Sequence, residues 1–445
     1  MTRHAFVPVM SVAIIIGLAC TPGSILGQEV QSGKKPDFYP GGRRLQGLIE
    51  EALDRNPALR ESFARYQAAL QRLPQAGALP DPMLGVTPFL RSPETRVGPQ
   101  TTTLAVSQQF PWFGKLSDKE KIAAKEAALV RERYEAQRDE TIRLVKVAYY
   151  DLAYLDRAVE ITEEDLMVLG HYESLAQARY AQGVGLQQAV VKLQAEITRD
   201  RNRLAALRSR RVDAEAALNA LRDRPADTPV ATVHPEKRPS SALGLDALYR
   251  AGREHRPEVQ AALLRIERDD NRIQLARKSY WPDFTVAAGF ANVSGRSDPA
   301  GLMNPPDQNG KNIYSVTVGI NIPIRRRKYD AAVAEAAEDK IGSREAYRDT
   351  VNRLEASVRA IGFRLQTLEE QIALFEKTLI PQAQQSLQST EAAYSTGTLG
   401  VLELLDSERV LLDVRLGLAQ LASDYMKSLA EMERVIGAPF PEITS

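Results

Sequence analysis

Glu403 and Asp406 are the sharpest chemical pattern in the chain: two carboxylates three residues apart. On a helix that spacing puts both on one face. Acidic groups gathered in this way attract cations. The opposing reading is a solvated helix face, with Asp406 paired to Arg409 one turn on. Catalysis has little else to draw on. His4, His171, His234 and His255 are scattered, without partners at metal-ligand spacing. No nucleophile elbow occurs. Gly183-Val184-Gly185 is a lone GxG that follows a helical pattern, not a strand, so it is no phosphate loop. No enzyme, cofactor or metal site is expected.

The residues around these glycines organise the chain. Arg179 to Leu186 ends one helix and starts another, and Ala393 to Gly400 does the same. Tyr180 matches Tyr394 and Gly183 matches Gly397, both at an offset of 214 residues. Glycine suits such a turn because it accepts positive φ without a Cβ clash. Each return helix carries a strict heptad seam. The first places Val190, Leu193, Ile197, Asp200, Leu204, Leu207, Arg211, Ala214, Leu218 and Leu221 at a/d positions. The second runs Leu404, Ser407, Leu411, Val414, Leu418, Leu421, Tyr425, Ser428, Met432 and Val435 at the same offset. Such a seam predicts left-handed coiled coil. Asp200 and Arg211 sit on it, either pairing with neighbouring helices or facing a water-filled lumen. A repeat of this length fixes the architecture.

Each half opens with a helical stretch broken at a proline, Arg55-Asn56-Pro57 and His255-Arg256-Pro257, followed by strand patterns. Phe284, Val286, Ala288 and Phe290 alternate with Thr285, Ala287 and Gly289. Tyr314, Val316, Val318, Ile320 and Ile322 alternate with Ser315, Thr317, Gly319 and Asn321. Large apolar residues on one face and small or polar ones on the other fit a transmembrane barrel strand. A soluble sandwich strand alternates in the same way. The first hairpin, Met83 to Leu90 and Thr101 to Phe110, is weaker and is interrupted by Pro88. Phe110, Trp112, Phe113, Tyr280 and Trp281 cluster at strand ends, as an interfacial aromatic girdle would. Arg325-Arg326-Arg327-Lys328 follows the last strand, either snorkelling at the interface or meeting lipid phosphates. Lys115 to Tyr180 then predicts a helix roughly 100 Å long. Pro381 should kink its counterpart.

The ends of the chain read differently. Arg3 and His4 precede an apolar run from Ala5 to Ala19, too short to span a bilayer as a stable helix. Cys20, the only cysteine, follows directly. That arrangement resembles a lipobox; the alternative is ordinary cleavage with Cys20 discarded. Fifty-eight basic and 57 acidic residues nearly cancel, which gives no bulk field for nucleic acid.

Taken in order, these features resemble the TolC-like outer-membrane efflux channels, over residues 45–439. Phe110-Pro111-Trp112-Phe113-Gly114-Lys115 resembles the strand-to-helix junction of the heavy-metal exporter branch. Gly183, Val184, Gly185 and Leu186 resemble the tip by which such channels meet a periplasmic adaptor. Gly397, Thr398, Leu399 and Gly400 are the matching docking tip of the second repeat. Tyr394-Ser395-Thr396-Gly397, followed by Leu402-Glu403-Leu404-Leu405-Asp406, resembles the segment that closes the periplasmic aperture, with Glu403 and Asp406 as its gate. At the 214-residue offset those two carboxylates match Ala189 and Lys192, so only the second tip carries them.

The resemblance implies a mostly α protein with a transmembrane β-barrel portion: two tandem repeats of β-hairpin plus long coiled-coil helices. It implies a homotrimer with a twelve-stranded barrel on a helical periplasmic tunnel. Implied partners are the periplasmic adaptor (membrane fusion protein), an inner-membrane pump and outer-membrane lipid, with no nucleic acid. The implied function is the exit duct of a tripartite efflux system. The alternatives are a periplasmic coiled-coil adaptor or structural protein, and a type I protein-secretion duct. The expected organisation is a signal at 1–19, a tether at 20–44 and repeat 1 at 45–225. Repeat 1 has its β-hairpin at 83–110 and its tip at 183–186. A linker at 226–240 leads to repeat 2 at 241–439, with β-hairpin 284–322 and tip 397–400, and then a tail at 440–445.

Overall fold

The computed structural model describes residues 42–232 and 244–440. The expected signal segment, Cys20, most of the expected tether, part of the expected linker and residues 441–445 lie outside the described residues. The first helix, α1 (Gly42–Arg55), begins three residues before the expected Leu45, its first turn hidden by polar residues. α2 (Pro57–Leu70) follows at once. The break between them lies at Asn56, because Pro57 has no N–H to continue the ladder. The Asn56 side chain caps α2 by accepting the Leu59 N–H at 3.0 Å, and donates to the Leu221 carbonyl at 2.9 Å. A short α3 (Arg72–Gly77) leads into the sheet.

The first hairpin is β1 (Met83–Pro88) and β3 (Gly98–Phe110), with a two-residue β2 (Glu94–Thr95) in its loop. Proline at position 88 has no donor for the ladder, so β1 stops there. After α6 (Leu245–His255) and α7 (Pro257–Lys278) comes the second hairpin. It comprises β4 (Phe284–Val293), a one-turn α8 (Pro299–Met303) and β5 (Ile313–Ile320). All pairings are antiparallel, in the order β1-β3-β4-β5. The register aligns Leu84 with Val106, Val106 with Ala288, and Ala288 with Val316. One face therefore collects Leu104, Val106, Phe284, Val286, Phe290, Tyr314, Val316 and Val318. The other collects Ala105, Ser107, Thr285, Ala287, Gly289, Ser315 and Thr317. Tyr314 and Val316 are each 78% exposed, so this apolar face has nothing over it within the chain. β1 and β5 each pair on one side only.

Long helices leave the sheet. α4 (Lys115–Ala181) runs 67 residues without a break, turns at the first tip and returns as α5 (Gln187–Leu221). In the second half α9 (Arg326–Leu374) continues through a π turn, Phe375–Leu379, into α10 (Ile380–Thr396). α11 (Val401–Ile436) returns from the second tip. The kink expected at Pro381 takes the form of that π turn. A proline ring crowds the carbonyl four residues earlier, and widening the preceding turn relieves the crowding without ending the helix.

The heptad seam is where the core lies. Leu193, Leu218, Leu404 and Met432 are completely buried, and Tyr425 nearly so. A central cluster packs α1, α4, α5, α6, α9 and α11 around Tyr149, Leu152, Val358 and Tyr425. A second cluster, near the tips, mixes both helical hairpins: Leu169 and Tyr172 of α4, Leu193 and Ile197 of α5, Leu387 and Tyr394 of α10, Leu404 and Leu405 of α11. The repeat survives in backbone detail. α11 ends on Gly437 at φ +70, and 214 residues earlier Asp223 follows α5 at φ +52.

Candidate functional site

The two tips close with the same hydrogen bonds. Val184 and Gly185 N–H groups reach the Arg179 carbonyl at 3.1 and 3.0 Å; Thr398 and Leu399 reach the Ala393 carbonyl at 2.9 and 3.3 Å. Gly183 (φ +74) and Gly397 (φ +82) supply the left-handed residue each turn needs. Gly185 has a different reason to be glycine. A Cβ there would lie 3.0 Å from the Arg179 and Tyr180 backbone. Leu399 stands at the matching position, where the longer 3.3 Å bond marks a looser turn. Val184 is 67% exposed and Leu186 73%, so the first tip presents apolar side chains to solvent. Leu399 and Leu402 are also exposed at the second. Thr398 and Gly400 are exposed there too.

Glu403 and Asp406 are both exposed on α11, while Leu404 and Leu405 beside them face the core. The alternative pairing of Asp406 with Arg409 is not made. Arg409 instead crosses to the first hairpin, where its Nε lies 2.9 Å from Oε1 of the buried Glu196 and its terminal nitrogen bonds the other oxygen. Arg199 bonds the same carboxylate from its own helix, at 2.9 and 2.8 Å. The Arg409 bonds hold the Glu196 carboxyl below its usual range. Other links cross between the hairpins in the same region. The Tyr172 hydroxyl donates to Glu391. Arg179 donates to the Tyr394 carbonyl and lies 5.2 Å from the centre of its ring. Arg415 pairs with Glu164.

Between these links lies a group that sequence reasoning caught only in part. Asp165 of α4, Asp200 of α5 and Glu408 of α11 are 4%, 1% and 6% exposed. No N–H or O–H donor meets either oxygen of Asp165 or Asp200, or one oxygen of Glu408. Asp165 stands within hydrogen-bonding reach of both partners, a contact that needs a proton on one of each pair. Burial pushes Asp165 and Asp200 up to about 7 and raises Glu408 as well. Asp200 was visible as a polar seam position; its burial excludes the lumen-facing alternative. Arg211, the other polar seam residue, pairs with Asp156 at 2.6 Å and Glu215 at 3.3 Å. Among the described residues no group of His, Cys, Asp and Glu is arranged to hold a metal ion.

At the other end of the helices, aromatic residues gather where strand meets helix. Trp112 is half-buried, stacked 5.0 Å from Trp281 and 5.6 Å from Phe284. Phe110, Phe113 and Trp281 are exposed, and Tyr280 packs on Tyr329 at 5.5 Å. Beneath them the buried Lys115 Nζ donates to Asp283 at 2.8 Å and to the Trp281 carbonyl at 2.9 Å. Asp283 also accepts the Trp112 N–H at 2.7 Å, so one carboxylate ties both repeats at this junction. Arg325 to Lys328 are exposed, with Arg326 over the Tyr280 ring at 5.7 Å and Lys328 over Tyr329 at 5.9 Å.

A four-stranded sheet with one bare apolar face, two long helical hairpins and a tandem repeat together define an unusual architecture. The sequence matches the outer membrane efflux protein family over residues 48–222 and 248–438. The chain belongs to that family. It is 26% identical over 425 residues to the probable efflux pump outer membrane protein SepC of Pseudomonas putida, covering 88% of this chain and 82% of that one. It is 24% identical over 387 residues to the cation efflux system protein CusC of Escherichia coli O157:H7, covering 84% and 81%. The fold superposes on the outer membrane protein VceC of Vibrio cholerae with a TM-score of 0.72 at 22% identity, covering 89% of this chain and 96% of that one. The protein is thus an outer-membrane exit duct of tripartite efflux systems, with its sheet in the membrane and its helical hairpins in the periplasm. Family membership sets aside the reading as a periplasmic adaptor. The family is one of channels, working with an adaptor and an inner-membrane pump.

Proposed function

We propose that three copies of this efflux protein close one barrel, four strands from each, and conduct substrate passively through a common helical tunnel. The observation that carries this reading is the sheet: an exposed apolar face combined with two single-sided edges, β1 and β5. Open edges are not tolerated in lipid, and pairing β5 of one copy with β1 of the next removes them. The aromatic residues Phe110, Trp112, Phe113, Tyr280 and Trp281 form the girdle at the periplasmic rim. Energy comes from the pump through an adaptor that docks on Gly183–Leu186 and Gly397–Gly400.

Glu403 and Asp406, brought together by the three-fold axis, form two acidic rings at the aperture. Such rings favour cations in the closed pore. Relatives are named for toluene efflux and for cation efflux, so selection among cargoes is assigned to the pump and not to the duct. Single-channel recording in planar bilayers tests the reading. A closed pore that selects cations and is blocked by multivalent cations from the periplasmic side is expected. Unchanged block after Glu403→Ala with Asp406→Ala would remove these residues from the aperture.

A further inference from the structure

We propose that Asp165, Asp200 and Glu408 form a proton-operated latch, which holds the second helical hairpin against the first and releases it when the three carboxyls ionise. The inference rests on the duct reading only for its consequence, the opening of the aperture; the latch itself rests on geometry. Three helices each bury one carboxyl here, α4 and α5 from the first hairpin and α11 from the second, with Asp165 of α4 between Asp200 of α5 and Glu408 of α11. Asp165 reaches both of the others, and no outside donor meets its oxygens, those of Asp200 or one oxygen of Glu408. A buried carboxylate without a donor is costly, and several together cannot all be charged. Shared protons turn the same contacts into hydrogen bonds that cross from one hairpin to the other.

The surroundings give the triad one cation for its three carboxyls. From α5, Arg203 forms an ion pair with Asp200 at 3.7 Å, too long for a hydrogen bond and with its side chain 35% exposed. Glu196 of α5 is taken by Arg199 and Arg409. From α11, Arg415 is paired to Glu164 of α4. From α10, Glu391 accepts the Tyr172 hydroxyl and adds negative charge facing Glu408. One ion-paired cation for three carboxyls cannot replace all the protons when they leave. Ionisation drives water in and pushes α11 away from α4 and α5. Glu408 lies two residues beyond Asp406, so release of α11 moves the segment that carries the proposed acidic rings.

The direction follows from burial. The held state favours the protonated triad, so the hold is complete in the ordinary carboxylate range and fades as pH rises through about 7. Release shifts by up to about tenfold per pH unit for each proton lost.

The test is a distance measurement on the full-length protein in detergent. Spin labels are placed at Asn202→Cys on α5 and Val410→Cys on α11, both exposed, in a Cys20→Ser background. Between about pH 5 and about pH 9 the inter-label distance is expected to lengthen, with its midpoint near neutrality. Asp165→Asn with Glu408→Gln, which mimics the protonated pair, is expected to keep the short distance throughout. An unchanged distance in the unmutated triad overturns the latch, as does the same step in the amide variant. Where the double variant fails to assemble, Asp200→Asn alone serves: one fewer ionising group must move the midpoint, and an unmoved midpoint rejects the proposal. The step is expected to persist in Glu403→Ala with Asp406→Ala. Failure of the acidic rings in bilayer recordings and failure of the latch in this measurement are thus separate results.

Discussion

Replacing Arg409 by methionine should open the channel, and the structure sets the size of the effect. Arg409 is the only residue in its contact set whose guanidinium leaves α11 to bond both oxygens of Glu196 on α5. Hydrogen bonds to a charged group contribute about 1.5–3 kcal/mol each. The Arg409 side chain is 45% exposed and Glu196 keeps Arg199, so the pair falls toward the lower end, about 2 kcal/mol in total. At about 1.4 kcal/mol per factor of ten, that corresponds to a roughly 30-fold shift toward release in each protomer.

The assay is the open probability of single channels at neutral pH. Arg199→Met is the matched control. It removes a guanidinium from the same carboxylate, yet Arg199 lies on α5 with Glu196 and crosses no boundary between hairpins. The expected result is a large rise for Arg409→Met and little change for Arg199→Met. Equal effects would mean that Glu196 only needs neutralising, and no effect from Arg409→Met would mean that the inter-hairpin bond does not restrain the aperture.

Leu186→Ser should weaken adaptor binding while leaving assembly intact, since Leu186 is 73% exposed and has no core to leave; surface-immobilised adaptor would measure it. Gly185→Arg is a poorer probe, because any side chain there strains the tip backbone and mixes docking with folding. Leu404→Ala, at a fully buried position shared by both hairpins, should cost about 2–5 kcal/mol and appear as earlier hydrogen exchange around the tips. Lys115→Met leaves the half-buried Asp283 without its cation; a drop in the thermal midpoint of the assembled barrel of several degrees is expected, by circular dichroism. The Glu196 carboxyl is held low, so its link to Arg409 contributes fully above the ordinary value of 4.5 and is lost only as pH falls through its depressed folded value. Opening of the aperture in strong acid should therefore disappear in Glu196→Gln.

Much of the fold is written in periodicity. The heptads predict which side of α5 and α11 is buried, and Leu193, Leu218, Leu404 and Met432 are all fully enclosed. The alternation across β4 and β5 likewise predicts the apolar face, because a strand has only two sides. What periodicity cannot express is compensation. Pro381 predicts a kink, but whether the helix ends or widens depends on how its neighbours hold it, and here a π turn absorbs the ring. The tips were legible for a related reason: glycine at position 183 or 397 reports a backbone demand that no neighbour can satisfy. Position 185 was legible as glycine but not its cause, which is the approach of the Arg179 backbone.

The inter-hairpin contacts were largely illegible because each joins residues on different helices, and a charge on a helical sequence reads as a solvated face by default. Arg409 has Asp406 as its natural sequence neighbour, yet it bonds Glu196, more than two hundred residues away in the chain. Only Asp200 gave a warning, as a carboxylate on a mainly apolar seam whose other charged residue, Arg211, pairs within its own hairpin. The two kinds of contact respond to pH in opposite senses. Glu196 and Arg409 hold as long as the carboxylate is charged, so their link fails toward acid. Asp165, Asp200 and Glu408 hold as long as protons are shared, so theirs fails as pH rises through about 7. Between the depressed value of Glu196 and the raised values of the triad, both restrain α11 at once. Above that window one restraint remains, and an adaptor pulling on the exposed tip residues meets less resistance. A channel closed by one kind of contact alone would open monotonically with pH. The curve expected here has its minimum in mild acid, and Arg409→Met and Asp165→Asn should each remove only one of its two limbs.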